Sequence, residues 1–331
     1  MKCPVSVLAL VMTMLGAGCA TQPDVPPAPR TVRVVTPFAT GHLLADVGNR
    51  IRDELQKTAP HMTVVVQTGV LNEQTIDPAM QSCEAGKRVG EILLTGGQPI
   101  QDWAPEYFFF NGPYVIRDFA HLRRVWAGEA GKAMATKIET TGKLVSFDPV
   151  YRGYRQFTSN APINATADFV GLKLRLPPVP DWIAVWDTLK VTPVQVPLPG
   201  IYDALKTGAA SASEGDLTQI QSLKLNEVQK QLTLTNHLVG FGMQMANACF
   251  FRNELSKSEQ EKVAAALKLA ADWGTRTIQE REASIIAQLK AGGMTVAAPD
   301  AAAIRKAAEP AINQLFATKW KVTTWQQVLA Q

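Results

Sequence analysis

Ser256-x-x-Glu259 opens a helical run that is not stopped until Gly292-Gly293. Ser at the cap with Glu three residues on is a capping box, and the paired glycines end the run. At about 1.5 Å per residue, a helix of about 35 residues spans roughly 50 Å. That exceeds one ordinary lobe. Such a helix either kinks or crosses two lobes and ties them together. The chain has 331 residues, and at roughly 150 residues per domain this length also predicts about two domains.

What precedes the helix reads as two α/β units. Val32–Thr36 is a strand, residues 42–57 a helix with Leu43, Leu44, Val47, Ile51 and Leu55 at helical spacing, and Met62–Gln67 a second strand. A short helix over Thr75–Ala85 and a strand over Gly90–Thr95 follow. The alternation predicts a mainly parallel sheet. It returns with a strand at Leu172–Leu176, a helix at Asp181–Leu189, a strand at Pro193–Val196, and a helix opened by Pro199 and ending near Thr207. After the long helix come a strand, Met294–Ala297, and a helix, Pro299–Phe316.

The N-terminus is a targeting segment. Lys2 precedes an apolar run from Val5 to Leu15, and small residues follow up to Cys19 and Ala20. That order is a secretory signal, and the run falls short of the about 20 residues of a membrane span. Cys19 after Gly-Ala-Gly fits a lipoprotein signal, although Gly16 stands where Leu is preferred. Acylation of Cys19 and simple cleavage near Ala20 are both open. Residues 21–30, rich in proline, form an extended tether. Only Cys83 and Cys249 belong to the body. An oxidising compartment permits a bridge between them; two small buried apolar side chains are the other reading.

Lys and Arg number 33 against 29 Asp and Glu, without the basic cluster of a nucleic-acid binder. No nucleophile elbow, C-x-x-C or H-E-x-x-H occurs, and Gly240-Phe-Gly242 lacks the third glycine of a dinucleotide site. Gly96-Gly97 reads as an ordinary turn. His42, His61, His121 and His237 lack ligand spacing, so no metal, cofactor or catalytic residue is assigned. Asp148 and Glu214 are an acid/base pair only if the fold brings them together. Two arginines stand out. Arg155 lies in Tyr151-Arg-Gly-Tyr-Arg-Gln-Phe-Thr-Ser-Asn160, and Arg175 ends an apolar strand before Pro177-Pro178. Ligands gather at strand ends of open α/β sheets, and an arginine there presents a fork of donors to a carboxylate. The alternative is an exposed arginine paired with a surface glutamate.

Four segments carry a resemblance: Gly153–Asn160; Ala167–Pro177; Thr192–Gly208, with Pro-Leu-Pro-Gly-Ile-Tyr-Asp inside it; and Glu227–His237. In order and spacing they resemble the solute-binding proteins of tripartite ATP-independent periplasmic (TRAP) transporters, of the dicarboxylate-binding DctP type. Pro105–Phe119, Arg123–Val125 and the C-terminal third agree; residues 70–100 agree least. The resemblance implies an α/β, two-lobed periplasmic-binding-protein-like (Venus flytrap) fold with a long helix spanning both lobes. Residues 1–20 would be the signal peptide and 21–30 the tether. Residues 31–152 and 241–280 would form lobe I, and 153–240 and 281–331 lobe II.

The implied function is an extracytoplasmic, non-enzymatic receptor in the periplasm. It would capture an organic acid in an interlobe cleft and deliver it, as a monomer, to the small and large TRAP membrane subunits. The family's carboxylate-binding arginine falls on Arg175, and a second arginine near the ligand falls on Arg155. Three positions depart from the pattern. Gly215, after Glu214, stands where many members have a ligand-facing Asn; Leu198 replaces a Phe; and Pro178 replaces a polar residue. Trp182, Trp186 and Tyr202 line or flank the pocket, or belong to the lobe core. These departures favour a small or apolar acid over a polyhydroxylated one. A ligand-presenting partner of a membrane sensor is an alternative, and a periplasmic hydrolase is a weaker one because no nucleophile–base pair is found.

Overall fold

The computed structural model describes residues 28–72 and 76–331; the signal segment, Cys19 and most of the tether lie outside them. Its strands are β1 (Arg30–Thr36), β2 (Met62–Thr68), β3 (Ile92–Thr95), β4 (Leu144–Ser146), β5 (Val150–Ser159), β6 (Lys173–Leu176), β7 (Thr192–Gln195), β8 (Ala212–Asp216), β9 (Gln231–Asn247) and β10 (Thr295–Ala297). They run in the order β2-β1-β3-β9-β5-β8-β6-β7, with β4 and β10 also paired to β9. One end of β9 pairs antiparallel with β3, and the other pairs antiparallel with β5 and parallel with β10. This 17-residue strand spans roughly 55 Å. The helix Lys257–Ala291, 35 residues capped by Ser256 and Glu259, is of matching length. Both elements serve both halves of the α/β molecule.

The early and late strand–helix repeats lie close to the expected bounds. Two expectations are corrected. The sheet is mixed rather than mainly parallel, because β5 runs antiparallel to both β8 and β9. The helix expected over Thr75–Ala85 is only Ile76–Met80. Three residues beyond it, Cys83 is drawn into a disulfide with Cys249, their Cα atoms 5.3 Å apart, and the local helical pattern yields to that crosslink. The bridged reading of the two cysteines is the one the structure holds. No described helix is long and apolar enough to cross a membrane.

The strand β5 carries the local feature that matters most for the site. Its ladder with β9 shifts register between Tyr151 and Gly153. Gly153 takes φ +85°, and a Cβ there would lie 2.6 Å from Glu282 Oε1 of the long helix. A bulge adds a residue and re-aims its side chain. Here that residue is Arg152, which is turned into the protein and buried.

The disulfide closes a loop of 166 residues. Opening it restores chain entropy to the unfolded state, an effect of about 2–5 kcal/mol for natural bridges. Denaturant unfolding of the reduced protein, or of Cys83→Ala with Cys249→Ala, should show a stability lower by that amount. Superimposable curves with and without reductant would mean that the bridge constrains nothing.

Candidate functional site

The adjacent strands β5, β8 and β6 assemble the site. Arg155 on β5 is paired in register with Asp216, and Phe157 with Glu214; Arg175 on β6 is paired with Ser213. Arg155 donates from Nε to Glu214 Oε2 and from Nη2 to Glu214 Oε1 at 2.7 Å. Its guanidinium lies 5.0 Å from the Trp182 ring. Trp182 itself donates from Nε1 to the Asn111 carbonyl at 2.6 Å. His237 Nε2 faces Glu214 Oε2 at 3.3 Å, and its Nδ1 is hydrogen-bonded to the Thr235 hydroxyl at 2.8 Å. Burial pushes the Glu214 carboxyl up, but Arg155 and His237 outweigh it and hold the group at about 2. Glu214 is therefore an anion that fixes Arg155 in place.

A second buried pair lies beside the first. Arg152 Nη2 donates to Asp216 Oδ2 at 2.5 Å, and its guanidinium stacks 4.4 Å from the Phe38 ring. Asp216 also accepts from Thr218 Oγ1 at 2.6 Å and from the Gln219 backbone N–H at 3.0 Å, so it caps the helix Leu217–Ser222. His42 caps the helix Leu43–Thr58 through Nδ1, stacks on Phe38, and places Nε2 3.3 Å from Arg152 Nη2 and 3.8 Å from Asp216 Oδ1. Burial pushes His42 down to about 4 despite Asp216, so it is neutral at pH 7. Asp216 lies well below the ordinary carboxylate range: burial raises it, and Arg152 and His42 more than offset that.

Arg175 is 2% exposed. Its Nε and Nη2 donate to the Val196 carbonyl at 2.8 and 2.5 Å. Two residues on, Leu198 borders a cavity of about 150 Å³ between the loop after β1 and the segments after β7 and β8. Phe38, Pro199, Gln219 and Leu223 also border it.

The fold thus brings Arg155, Glu214, Gly215 and Trp182 together, with Arg175 one strand away and Leu198 on the adjoining cavity wall. Pro178 faces elsewhere, lining a 580 Å³ groove with Glu106, Asp181 and Lys319. Trp182 and Trp186 are core residues, and Tyr202 donates to Glu227. Asp148 lines outer grooves beside Arg123, away from the partners of Glu214. Gly97 is a close approach, where a Cβ would lie 2.5 Å from Phe241 Cζ. His61 and His121 are bonded to Glu259 and the Val328 carbonyl.

The Thr235–His237–Glu214 chain has the outline of a nucleophile–base array. Thr235 is fully buried and borders none of the cavities described above, so its hydroxyl presents no attacking group. Sequence reasoning missed Phe38, His42, Arg152, Asp216 and Gln219. The one available signal was the pair of charged doublets, Arg152/Arg155 and Glu214/Asp216.

Residues 78–319 match the family model described as bacterial extracellular solute-binding protein, family 7. The sialic acid-binding periplasmic protein SiaP of Vibrio cholerae is 31% identical over 208 residues, 63% of this chain and 64% of that protein. The C4-dicarboxylate-binding periplasmic protein DctP of Rhodobacter capsulatus is 29% identical over 198 residues, 53% of this chain and 58% of that one. These two matches span less than two thirds of the curated relatives' own length. A crystal structure of a TRAP periplasmic solute-binding protein from Roseobacter denitrificans, with bound L-galactonate, aligns with a TM-score of 0.79 at 25% identity. The alignment covers 87% of this chain and 94% of that one.

The buried charges make stability depend on pH. Glu214 titrates at about 2 against an ordinary 4.5, and His42 at about 4 against 6.5. In each case the unfolded chain binds a proton that the folded one refuses, so stability rises with pH across that interval. It should fall as pH drops from 6.5 to 4 through His42, and again from 4.5 to 2 through Glu214. His121 and His237 are also held low, chiefly by burial, and act in the same direction as His42. Urea midpoints followed against pH should show a shallower decline between 6.5 and 4 in His42→Asn, which keeps a good helix cap. An unchanged slope would remove His42 from this account.

Proposed function

The chain belongs to family 7 of bacterial extracellular solute-binding proteins, a family of solute receptors and not of enzymes. From that premise we propose that it captures a small organic acid by an arginine–carboxylate contact and delivers it to TRAP membrane subunits. The observation that carries this reading is Arg175, a nearly buried guanidinium at the C-terminal end of an interior strand, bonded to the Val196 carbonyl two residues before Leu198, which lines a cavity. Strand ends of this kind are where open α/β sheets bind ligands.

A carboxylate entering such a site loses its water, and only prearranged donors and charge compensate. Arg175 offers these from a side chain already held by the Val196 carbonyl. Arg155, locked by Glu214 and Trp182, is the second cation near the ligand, and Leu198 and Gly215 shape the space beside its body. Pro178 and Trp182 act from behind, at the turn after β6 and beneath Arg155. We assign residues 31–152 and 241–280 to one lobe and 153–240 and 281–331 to the other. The bulge at Arg152 and the change of partner along β9 support that division. A ligand touched by both lobes stabilises the closed form over the open one. The closed monomer is the form that docks on the membrane subunits. The protein acts in the periplasm, released by cleavage near Ala20 or tethered through an acylated Cys19.

A charge-assisted hydrogen bond contributes about 1.5–3 kcal/mol, or roughly 10- to 150-fold in affinity. Carboxylate ligands should raise the melting temperature of the wild-type protein. Arg175→Ala should lose most of that rise, and Arg175→Lys should keep part of it. A variant that binds the same acid with unchanged affinity would show that Arg175 is not the anchor.

A further inference from the structure

The cavity between the loop after β1 and the helix Leu217–Ser222 holds about 150 Å³, roughly the size that accommodates a six-carbon body between apolar walls. Pro37, Phe38, Leu198, Pro199 and Leu223 give it carbon surfaces. The polar side chains on its described wall are few. The Ser222 hydroxyl donates to the Gln219 carbonyl at 3.3 Å. His42 is engaged with the backbone of Leu44 and with Arg152 and Asp216.

Gln219 is different. It is 3% exposed, yet its Nε2 has no hydrogen-bond partner among the described residues. Its backbone N–H is fixed by Asp216, which sets the start of its helix. Its amide lies where the neighbouring strand leaves room: a Cβ on Gly215 would stand 2.8 Å from Gln219 Nε2 and 3.2 Å from its Cδ. Gly215 therefore lets the amide of Gln219 lie against β8, and Gln219 is one of the residues that border the cavity. A buried donor left without an acceptor is costly, about 1–3 kcal/mol, and a ligand oxygen removes that cost.

We propose that Gln219 determines specificity, donating to a single oxygen on a short aliphatic monocarboxylic acid, such as a 2-oxo or 2-hydroxy acid, whose carbon body fills this cavity. The proposal rests on the carboxylate reading of Arg175, whose Val196 partner precedes the Leu198 wall by two residues. Two competing ligand classes fit less well. A second carboxylate meets neither Lys nor Arg on the described wall, and a sugar acid brings several hydroxyls to surfaces of Pro, Phe and Leu.

The test is calorimetric titration of the full chain with 2-oxoisovalerate, isovalerate, succinate and L-galactonate. Isovalerate has the same skeleton without the oxo oxygen. The 2-oxo acid should bind at least about tenfold tighter than succinate or galactonate. Gln219→Leu should weaken it by about tenfold while leaving isovalerate within about twofold. Gly215→Ala, whose added methyl presses on the Gln219 amide, should weaken the 2-oxo acid more than isovalerate. Retained isovalerate binding shows in each case that the variant is folded. Equal weakening of both acids would make Gln219 structural and overturn the proposal. Succinate or galactonate binding more tightly, with the affinity lost in Arg175→Ala, would overturn it while leaving the carboxylate reading intact. Failure of every acid to bind the wild type would bring down that reading and this proposal together.

Discussion

A buried charge is tolerated only when it is paired and hydrogen-bonded, and this constraint organises the centre of the molecule. Two arginines on β5 each close on a carboxylate of β8, Arg155 on Glu214 and Arg152 on Asp216. Removing one partner of such a pair costs about 3–5 kcal/mol, because the other is left buried and uncompensated. Strand register, the bulge at Gly153 and the start of the helix at Asp216 are therefore fixed together. His42 and Phe38 bring the loop after β1 into the same network. The site does not sit on a finished scaffold; it is part of what makes the scaffold single-valued.

Much of this architecture can be read along the chain where the signal is local. The capping box at Ser256 and the glycines at 292 and 293 define the long helix, and β-branched runs define β1 and β2. The signal fails where tertiary contact decides. β9 is buried on nearly every residue from Thr235 onward, so it shows no alternation, and nothing local says that it pairs antiparallel with β5. Helices Phe119–Ala127 and Glu129–Gly142 went unassigned, although the first has a clear Asp118 cap. In the site, Arg155, Glu214 and Gly215 were legible because they fall on a recognisable pattern. Arg152 was not. Its partners Asp216 and His42 lie 64 and 110 residues away, and only the bulge aims its side chain at them.

Gly215 changes meaning between the two levels of description. In the sequence it is a lost side chain, a position where the pocket becomes less polar. In three dimensions it is the clearance that admits an amide from one helical turn later. On the proposal that Gln219 meets the ligand, a polar contact absent from a strand is resupplied from a helix.

The size of the cavity bears on how closure is driven. A ligand gains at most about 1.5 kcal/mol per non-hydrogen atom, so a short acid of the kind proposed would bring limited energy to the joining of two lobes. The protein supplies contacts of its own: Arg152 bonded to Asp216 at 2.5 Å and His42 near Asp216 at 3.8 Å join residues that the proposed division places in different lobes. In the proposed closure, these contacts would lower the free energy that the ligand must provide to favour the closed form. On the proposed closure, the same buried charges that fix the fold therefore also help to hold the two lobes together.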